Sequence, residues 1–215
     1  MNIKILLTYL KKFIPDKFIY AYKKAGKTYL SLRNGCEPVH WSRVVMNQET
    51  RKFIESLNYE ELDAAEVSGN DWETVNFKSY KILSYPKFDI CGKNTMTESF
   101  DLVFAEQVLE HVAYPKRAVE NIYDLLRPGG HCVITTPFLV RVHNEPMDCW
   151  RWTELGLKHL LAEGGFDLKK IRTGSWGNRE CVVANFDRWV YFNRKIHSLV
   201  NEKEFPISVW AMAQR

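Results

Sequence analysis

The chain has five cysteines, Cys36, Cys91, Cys132, Cys149 and Cys181, but no Cys-x-x-Cys pair and no Cys/His cluster at zinc spacing. Scattered thiols of this kind fit a reduced, cytoplasmic protein, and no metal is expected. No apolar run approaches the roughly 20 residues that cross a bilayer, and no signal peptide with a small-residue cleavage site is visible. Internal repeats and low-complexity tracts are absent as well. A basic body is also missing. Residues 1–35 carry eight Lys and Arg against the single Asp16, a net +7, which leaves −3 for the rest of a chain whose total is +4. That balance argues against a nucleic-acid partner.

With 215 residues, 46% of them hydrophobic, the chain is long enough for one domain with a sizeable core and too short for two catalytic domains. The basic arm has a pattern of its own. Ile3, Leu6, Leu7, Leu10, Phe13 and Ile14 recur at helical spacing before Pro15, which predicts a helical extension over residues 1–38. Its apolar stripe has two readings. Either it packs on the domain's own helices as a lid over the acceptor site, or residues 1–33 make a peripheral contact with an anionic membrane at its inner surface. Residues 39–215 form the main domain, opening with a helix in residues 42–57 for which Ser42 is a candidate N-cap.

From Leu62 onward short apolar runs alternate with amphipathic stretches. Strands are expected at 62–69, 80–86, 99–106, 130–137, 166–174 and 207–213, and helices at 107–126, 153–164 and 181–199. Alternation of this kind predicts an α/β fold, a Rossmann-like and mostly parallel sheet with helices on both faces. The last two strands are expected to pair as an antiparallel edge. In such a sheet a ligand sits outside the carboxyl ends of the strands, so the residues after each strand matter most. The first of these ends reads Glu66-Val67-Ser68-Gly69-Asn70, a glycine-bearing turn that is also compatible with an ordinary strand end.

The run "SFDLVFAEQVLEHVAYPKRAVENIYDLLRPGGHCVITTP" over residues 99–137 resembles the class I S-adenosylmethionine-dependent methyltransferases, with their "LEH" helix start and "LLRPGG" turn, and the likeness continues through "GLKHLLAEGGFDLKKI". The resemblance implies S-adenosylmethionine as cofactor and methyl transfer as the reaction. It assigns Glu66, Ser68, Gly69 and Asn70 to the loop around the amino-acid end of the cofactor. Here the chain departs from the family, since Asn70, Asp71 and Trp72 replace the later glycines. Asp89 is the candidate for the acidic residue that closes the second strand and accepts from the ribose hydroxyls; a place beside the adenine and a plain surface turn are the other readings. Ala105, Glu106 and Gln107 fall where the family meets the methionine part. Glu110 sits at a helix start, and His111 is the family's loop-fixing histidine.

The acceptor side follows the "TTP" strand end. "FLVRVHNEPMDCWRWT" (138–153) packs His143, Glu145, Asp148, Arg151 and two tryptophans into one stretch. It resembles a subgroup of these methyltransferases associated with glycan and cell-surface biosynthesis that carries an "H..P.D..RWT" pattern. A hydroxyl acceptor must lose a proton, so His143 is a candidate general base with Asp148 orienting it. Arg151 suits an acceptor carboxylate or phosphate. Alternatively, Asp148 and Arg151 form a salt bridge that steadies the loop while Thr153 caps the next helix. A small molecule or exposed sugar, with a hydroxyl or carboxylate as the methylated group, is the expected acceptor. Two other functions compete: a methyltransferase-like partner subunit without catalysis, and a nicotinamide-dependent oxidoreductase, for which the chain offers neither a G-x-G-x-x-G nor a convincing Tyr-x-x-x-Lys pair.

Overall fold

A computed structural model describes residues 36–93, 96–144 and 146–215. Most of the basic arm, and with it the helical extension, lies outside the described residues. The chain divides into two compact units, the larger of which comprises Ser42–Arg188 and Leu199–Arg215.

The larger unit is built on six strands: β1 (Asp63–Val67), β2 (Ser79–Leu83), β3 (Phe100–Glu106), β4 (Leu126–Pro137), β5 (Ile171–Trp176) and β6 (Ser208–Gln214). They form one sheet in the order β2-β1-β3-β4-β6-β5. β1 runs parallel to β2 and β3, and β3 runs parallel to β4. β6 is antiparallel to both β4 and β5. The antiparallel strand therefore sits one place inside the rim, which β5 occupies. Among the described residues four α-helices accompany the sheet: α1 (Val44–Glu55), α2 (Pro115–Leu125), α3 (Glu154–Glu163) and α4 (Arg179–Ala184).

Strand periodicity sends alternate residues to opposite faces. Ala65, Val67, Val103, Ala105, Cys132, Ile134, Val209 and Ala211 share one face with Ala118, Ile122, Leu157 and Leu161 of α2 and α3. Alanines on the strands let these helices lie close. α2 starts with Pro115 at its first turn, where the missing N–H costs nothing. Thr153 caps α3, its side chain accepting from the N–H of Gly156, as the capping alternative anticipates.

The opposite face is covered differently. Phe53 of α1 meets His131 of β4 edge to face, with centroids 5.6 Å apart. Farther along the sheet an aromatic layer takes over. Trp72 stacks on Phe104 at 4.4 Å, and Phe77 packs against both Phe104 and Tyr80. Residues 68–78 join β1 to the parallel β2 with turns and no helix, so these rings bury the surface that a crossover helix would otherwise cover.

Several local expectations need correction. Ser42 does not cap α1, because a 3-10 turn over Trp41–Arg43 leads into the helix and Arg43 takes the cap position without a side-chain bond. Pro128-Gly129-Gly130 lies within β4 instead of in a turn before it. A side chain at Gly130 would come within 3.0 Å of the carbonyl oxygens of Asp101 and Arg127, so only glycine lets the strand start this early. The expected helix over 181–199 stops at Ala184: Asn185 donates from its amide back to the Cys181 carbonyl. Beyond it the chain is extended and pairs with residues 37–41, through Phe192 N–H to the Val39 carbonyl and Trp41 N–H to the Val190 carbonyl. Those paired residues belong to the smaller unit, where Trp41 also stacks on His197 at 4.0 Å. Among the described residues no helix is long and apolar enough to cross a membrane.

Candidate active site

The strand order reverses between β1 and β3, and ligands of open α/β sheets bind at such a reversal. Among the described residues two non-glycine residues have positive φ, Ser68 at 60° and Gln107 at 55°, and they follow the carboxyl ends of those two strands. Backbone held in this sparsely populated region must be fixed by its surroundings. For Gln107 the fixing groups are on β4: its N–H donates to the Thr135 carbonyl at 2.8 Å and its Nε2 to Thr135 Oγ1 at 3.1 Å.

At the other lip, Glu66 folds back under its own loop. Its carboxylate accepts from the N–H of Asp71 and of Trp72, each at 3.1 Å, and from the Tyr80 hydroxyl. A Cβ at position 69 would lie 2.1 Å from Glu66 Oε1, so Gly69 is what makes this fold-back possible. Asn70 is spent inside the loop, with Nδ2 on Glu73 Oε2 at 3.1 Å. The Trp72 indole N–H reaches across to Glu106 Oε1 at 2.8 Å. Burial pushes the Glu106 carboxyl up to about 7 against the lowering effect of that bond, and it raises Glu66 as well. Glu66, Ser68, Gly69, Ala105, Glu106 and Gln107 thus come together at the neighbouring carboxyl ends of β1 and β3.

Asp89 does not close the second strand. β2 ends at Leu83 with Ser84 next in line, and Asp89 stands exposed on the following loop, accepting from the Cys91 N–H at 2.8 Å. Asn121 of α2 pins that loop by donating to the carbonyls of Ile90 at 2.6 Å and Gly92 at 2.8 Å. The absence of a helix after β1 shortens the chain here, which is why the spacing from Glu66 misled the assignment.

A second cluster begins four residues past Glu106. Leu109–His111 forms a 3-10 turn, and Glu110 within it is fully buried. Glu110 therefore serves no helix start; burial pushes its carboxyl up to about 7. His111 Nδ1 faces the Met147 carbonyl. The His111 and His143 rings meet edge to face with centroids 5.1 Å apart. Asp148 Oδ2 accepts from the His143 N–H at 2.7 Å and lies 3.4 Å from His143 Nδ1. Arg151 holds both oxygens of Asp148. This double bond, more than any other influence, keeps the Asp148 carboxyl down at about 2. Burial, more than any other influence, lowers the His143 imidazole, which favours its neutral form. Asp148 thus contacts both His143 and Arg151, and its bonds to the His143 N–H and to Arg151 tie the loop together. Glu145 is outside the described residues.

Sequence reasoning passed over Arg43 and Tyr80 and took Trp72 only as a replacement for a later glycine of the first motif. Arg43 favours the ionised forms of both Glu106 and Glu110, and Arg51 lies over the Trp72 ring at 5.6 Å. Neither Arg43 nor Tyr80 stands in a recognisable motif. A buried carboxylate, Glu66, and a half-buried one, Glu106, at one crevice suit a ligand that brings positive charge, and S-adenosylmethionine carries it twice, as ammonium and as sulfonium.

A profile described as a methyltransferase domain matches residues 9–171. The chain belongs to this methyltransferase family. Its methyl donor is S-adenosylmethionine. Over 138 residues the methyltransferase is 28% identical to the ubiquinone biosynthesis O-methyltransferase of Psychrobacter arcticus, a match that takes in 58% of this chain and 51% of that protein. It therefore spans about half the length of the curated relatives it matches. Among solved structures it is similar to an S-adenosylmethionine-dependent methyltransferase from Mesorhizobium loti, with a TM-score of 0.52 at 14% identity, over 78% of this chain and 97% of that one. A second, from Archaeoglobus fulgidus, gives 0.52 at 13% identity over 80% and 94% of the two chains. At such identities these likenesses show the fold alone.

Proposed function

We propose that this methyltransferase transfers a methyl group from S-adenosylmethionine to an oxygen of a small acceptor held against His111, His143 and the loop that ends at Arg151. One observation carries this reading. A single segment, Glu106 to His111, runs from the crevice at β1 and β3 directly to the histidine pair, so donor and acceptor corners share one rigid support.

The donor supplies an electrophilic methyl carbon on a sulfonium, and displacement there is in line, so positioning accounts for much of the rate. In this reading Glu66, Ser68 and Gly69 shape the loop at the amino-acid end. Ala105, Glu106 and Gln107 line the methionine side, Glu106 offering negative charge when ionised. Asn70 acts indirectly by holding the loop, and Asp89 serves the adenine or ribose end from the loop after β2. His143, neutral and oriented by Asp148, takes the proton of the acceptor hydroxyl. Arg151 is already paired with Asp148, so its part is to hold that carboxylate in place. A sugar hydroxyl or carboxylate fits the "H..P.D..RWT" likeness, and the relative from Psychrobacter arcticus, an O-methyltransferase by name, supports oxygen as the nucleophile. The basic arm over residues 1–38 would close this side as a lid or meet a membrane surface.

Calorimetry with S-adenosylmethionine, with NAD as a control, tests the reading directly. Binding of the first and not of the second is expected. No binding of S-adenosylmethionine would leave a methyltransferase fold that serves as a non-catalytic subunit.

A further inference from the structure

Glu110, His111 and His143 each offer a donor atom, and the three atoms lie within 4.8 Å of one another. Donors around a tetrahedral ion with bonds of about 2.0–2.1 Å are spaced roughly 3.3 Å apart, and the separation of His111 Nε2 from Glu110 Oε1 is already 3.7 Å. Small side-chain adjustments would therefore close the set on an ion.

Glu110 supplies an independent reason to expect a cation. Its side chain is 0% exposed, and neither carboxylate oxygen accepts a hydrogen bond from any other residue. A buried carboxylate left bare is costly and rare, and an ion is among its ordinary explanations. The surroundings of the two imidazoles point the same way. A metal-bound histidine turns its other ring nitrogen to a carbonyl or carboxylate, which fixes tautomer and ring angle. His111 Nδ1 meets the Met147 carbonyl, and His143 Nδ1 faces Asp148 Oδ2 at 3.4 Å, that carboxylate being held in turn by Arg151. His111 and His143 are only partly buried, which leaves an open side.

We propose that Glu110, His111 and His143 form a binding site for a divalent cation of the zinc class. Two imidazole nitrogens with one carboxylate suit Zn²⁺, Fe²⁺ or Mn²⁺ and not the all-oxygen preference of Ca²⁺ and Mg²⁺. Ion binding depends on these three residues alone; its use in catalysis rests on the methyl-transfer reading above. There, an acceptor hydroxyl bound at the open side loses its proton to solvent water at a lower pH than a free hydroxyl does. The resulting oxyanion forms the O–CH3 bond as the S–CH3 bond breaks, and S-adenosylhomocysteine leaves. With the ion bound, His143 serves the acceptor through the ion; in the ion-free chain it keeps the general-base role given above.

The test uses the full chain, stripped with a chelator and titrated with Zn²⁺ by calorimetry and with Co²⁺ in the visible and near ultraviolet. One ion per chain is expected, with a nitrogen and oxygen spectrum and no thiolate charge-transfer band. A His111→Gln/His143→Gln double variant should bind about 100-fold more weakly or worse, and the near-isosteric Glu110→Gln about tenfold more weakly. Circular dichroism establishes that each variant is folded, and Glu110→Gln carries the test if the double variant is not. Substoichiometric binding, a thiolate band or unchanged affinity in a folded variant overturns the site. Calorimetry with S-adenosylmethionine on the same preparation separates the two ideas. Cofactor binding without ion uptake removes the metal site and leaves methyl transfer standing; ion uptake without cofactor binding does the reverse.

Discussion

The crevice between β1 and β3 and the corner around His111 solve opposite problems with the same residue type. At the crevice, Glu66 is buried but satisfied by three donors from its own loop and from β2. At the corner, Glu110 is buried and its oxygens are bare. A carboxylate that already has partners shapes backbone; one that lacks them is held in readiness for something from outside. The two regions should therefore respond differently to mutation, the first through loss of loop geometry and the second through loss of chemistry with the fold intact.

The largest separation should come from His143→Ala. Turnover is expected to fall about 10² to 10⁴-fold with affinity for S-adenosylmethionine within about threefold of the parent. A turnover near that of the parent would reduce the corner to a scaffold and erase the contrast. Gly69→Val attacks the other region. The new side chain must displace Glu66, whose carboxylate holds the loop, so cofactor affinity should fall by about 100-fold or more while the domain stays folded. Calorimetry beside a thermal melt reads both effects. Unchanged affinity in a folded protein would take the loop out of the site. Asp89→Ala is expected to weaken the cofactor by roughly 1.5 to 3 kcal/mol, the range for hydrogen bonds to a charged group. Intact binding would show that the ribose and adenine end is held by other residues.

The smallest effect is a pH dependence. Glu106 has its carboxyl raised to about 7 in the folded chain from an ordinary carboxylate value, so the folded state holds its proton longer than the unfolded chain does. This group's contribution to stability is thus present below the ordinary carboxylate range and is lost as pH rises toward 7. Cofactor affinity should run the other way, because only the ionised form attracts the sulfonium and ammonium. Below pH 7 it should drop by up to about tenfold per pH unit. A Glu106→Gln variant should flatten the affinity curve and remove only part of the stability curve, since Glu110 is also raised to about 7; identical curves in parent and variant would assign the dependence to another group.

Much of this was legible in the chain. Strand alternation located all six strands to within a few residues, since the face under α2 and α3 is apolar at a strict period of two. The contiguous "FAEQVLEH" stretch located the crevice for the same reason that it works: one segment passes through it. What escaped was assembled from distant parts. The aromatic layer of Trp72, Phe77 and Phe104 replaces a helix without leaving a helical pattern, and its shortening of the chain displaced Asp89 from the strand end. Asn185 ended a helix that periodicity would have continued. Glu110 and His143 are 33 positions apart, and their meeting depends on the Met147 carbonyl returning to His111, a contact that no spacing rule encodes.

Among the described residues no strand pairs on the far side of β2, which is therefore the outermost strand beside β1. A rim strand offers its free backbone side to any extended chain that passes, which is how sheets of separate molecules fuse. Here only five residues are on offer, and the strand carries a cation, Lys81, tied outward to Glu98 at 2.6 Å. Brevity and charge at this rim guard against aggregation. Replacing Lys81 with an apolar, β-branched residue would lengthen the sticky side next to the exposed Ile82, and the consequence would appear as turbidity on concentration while the folded monomer kept its structure.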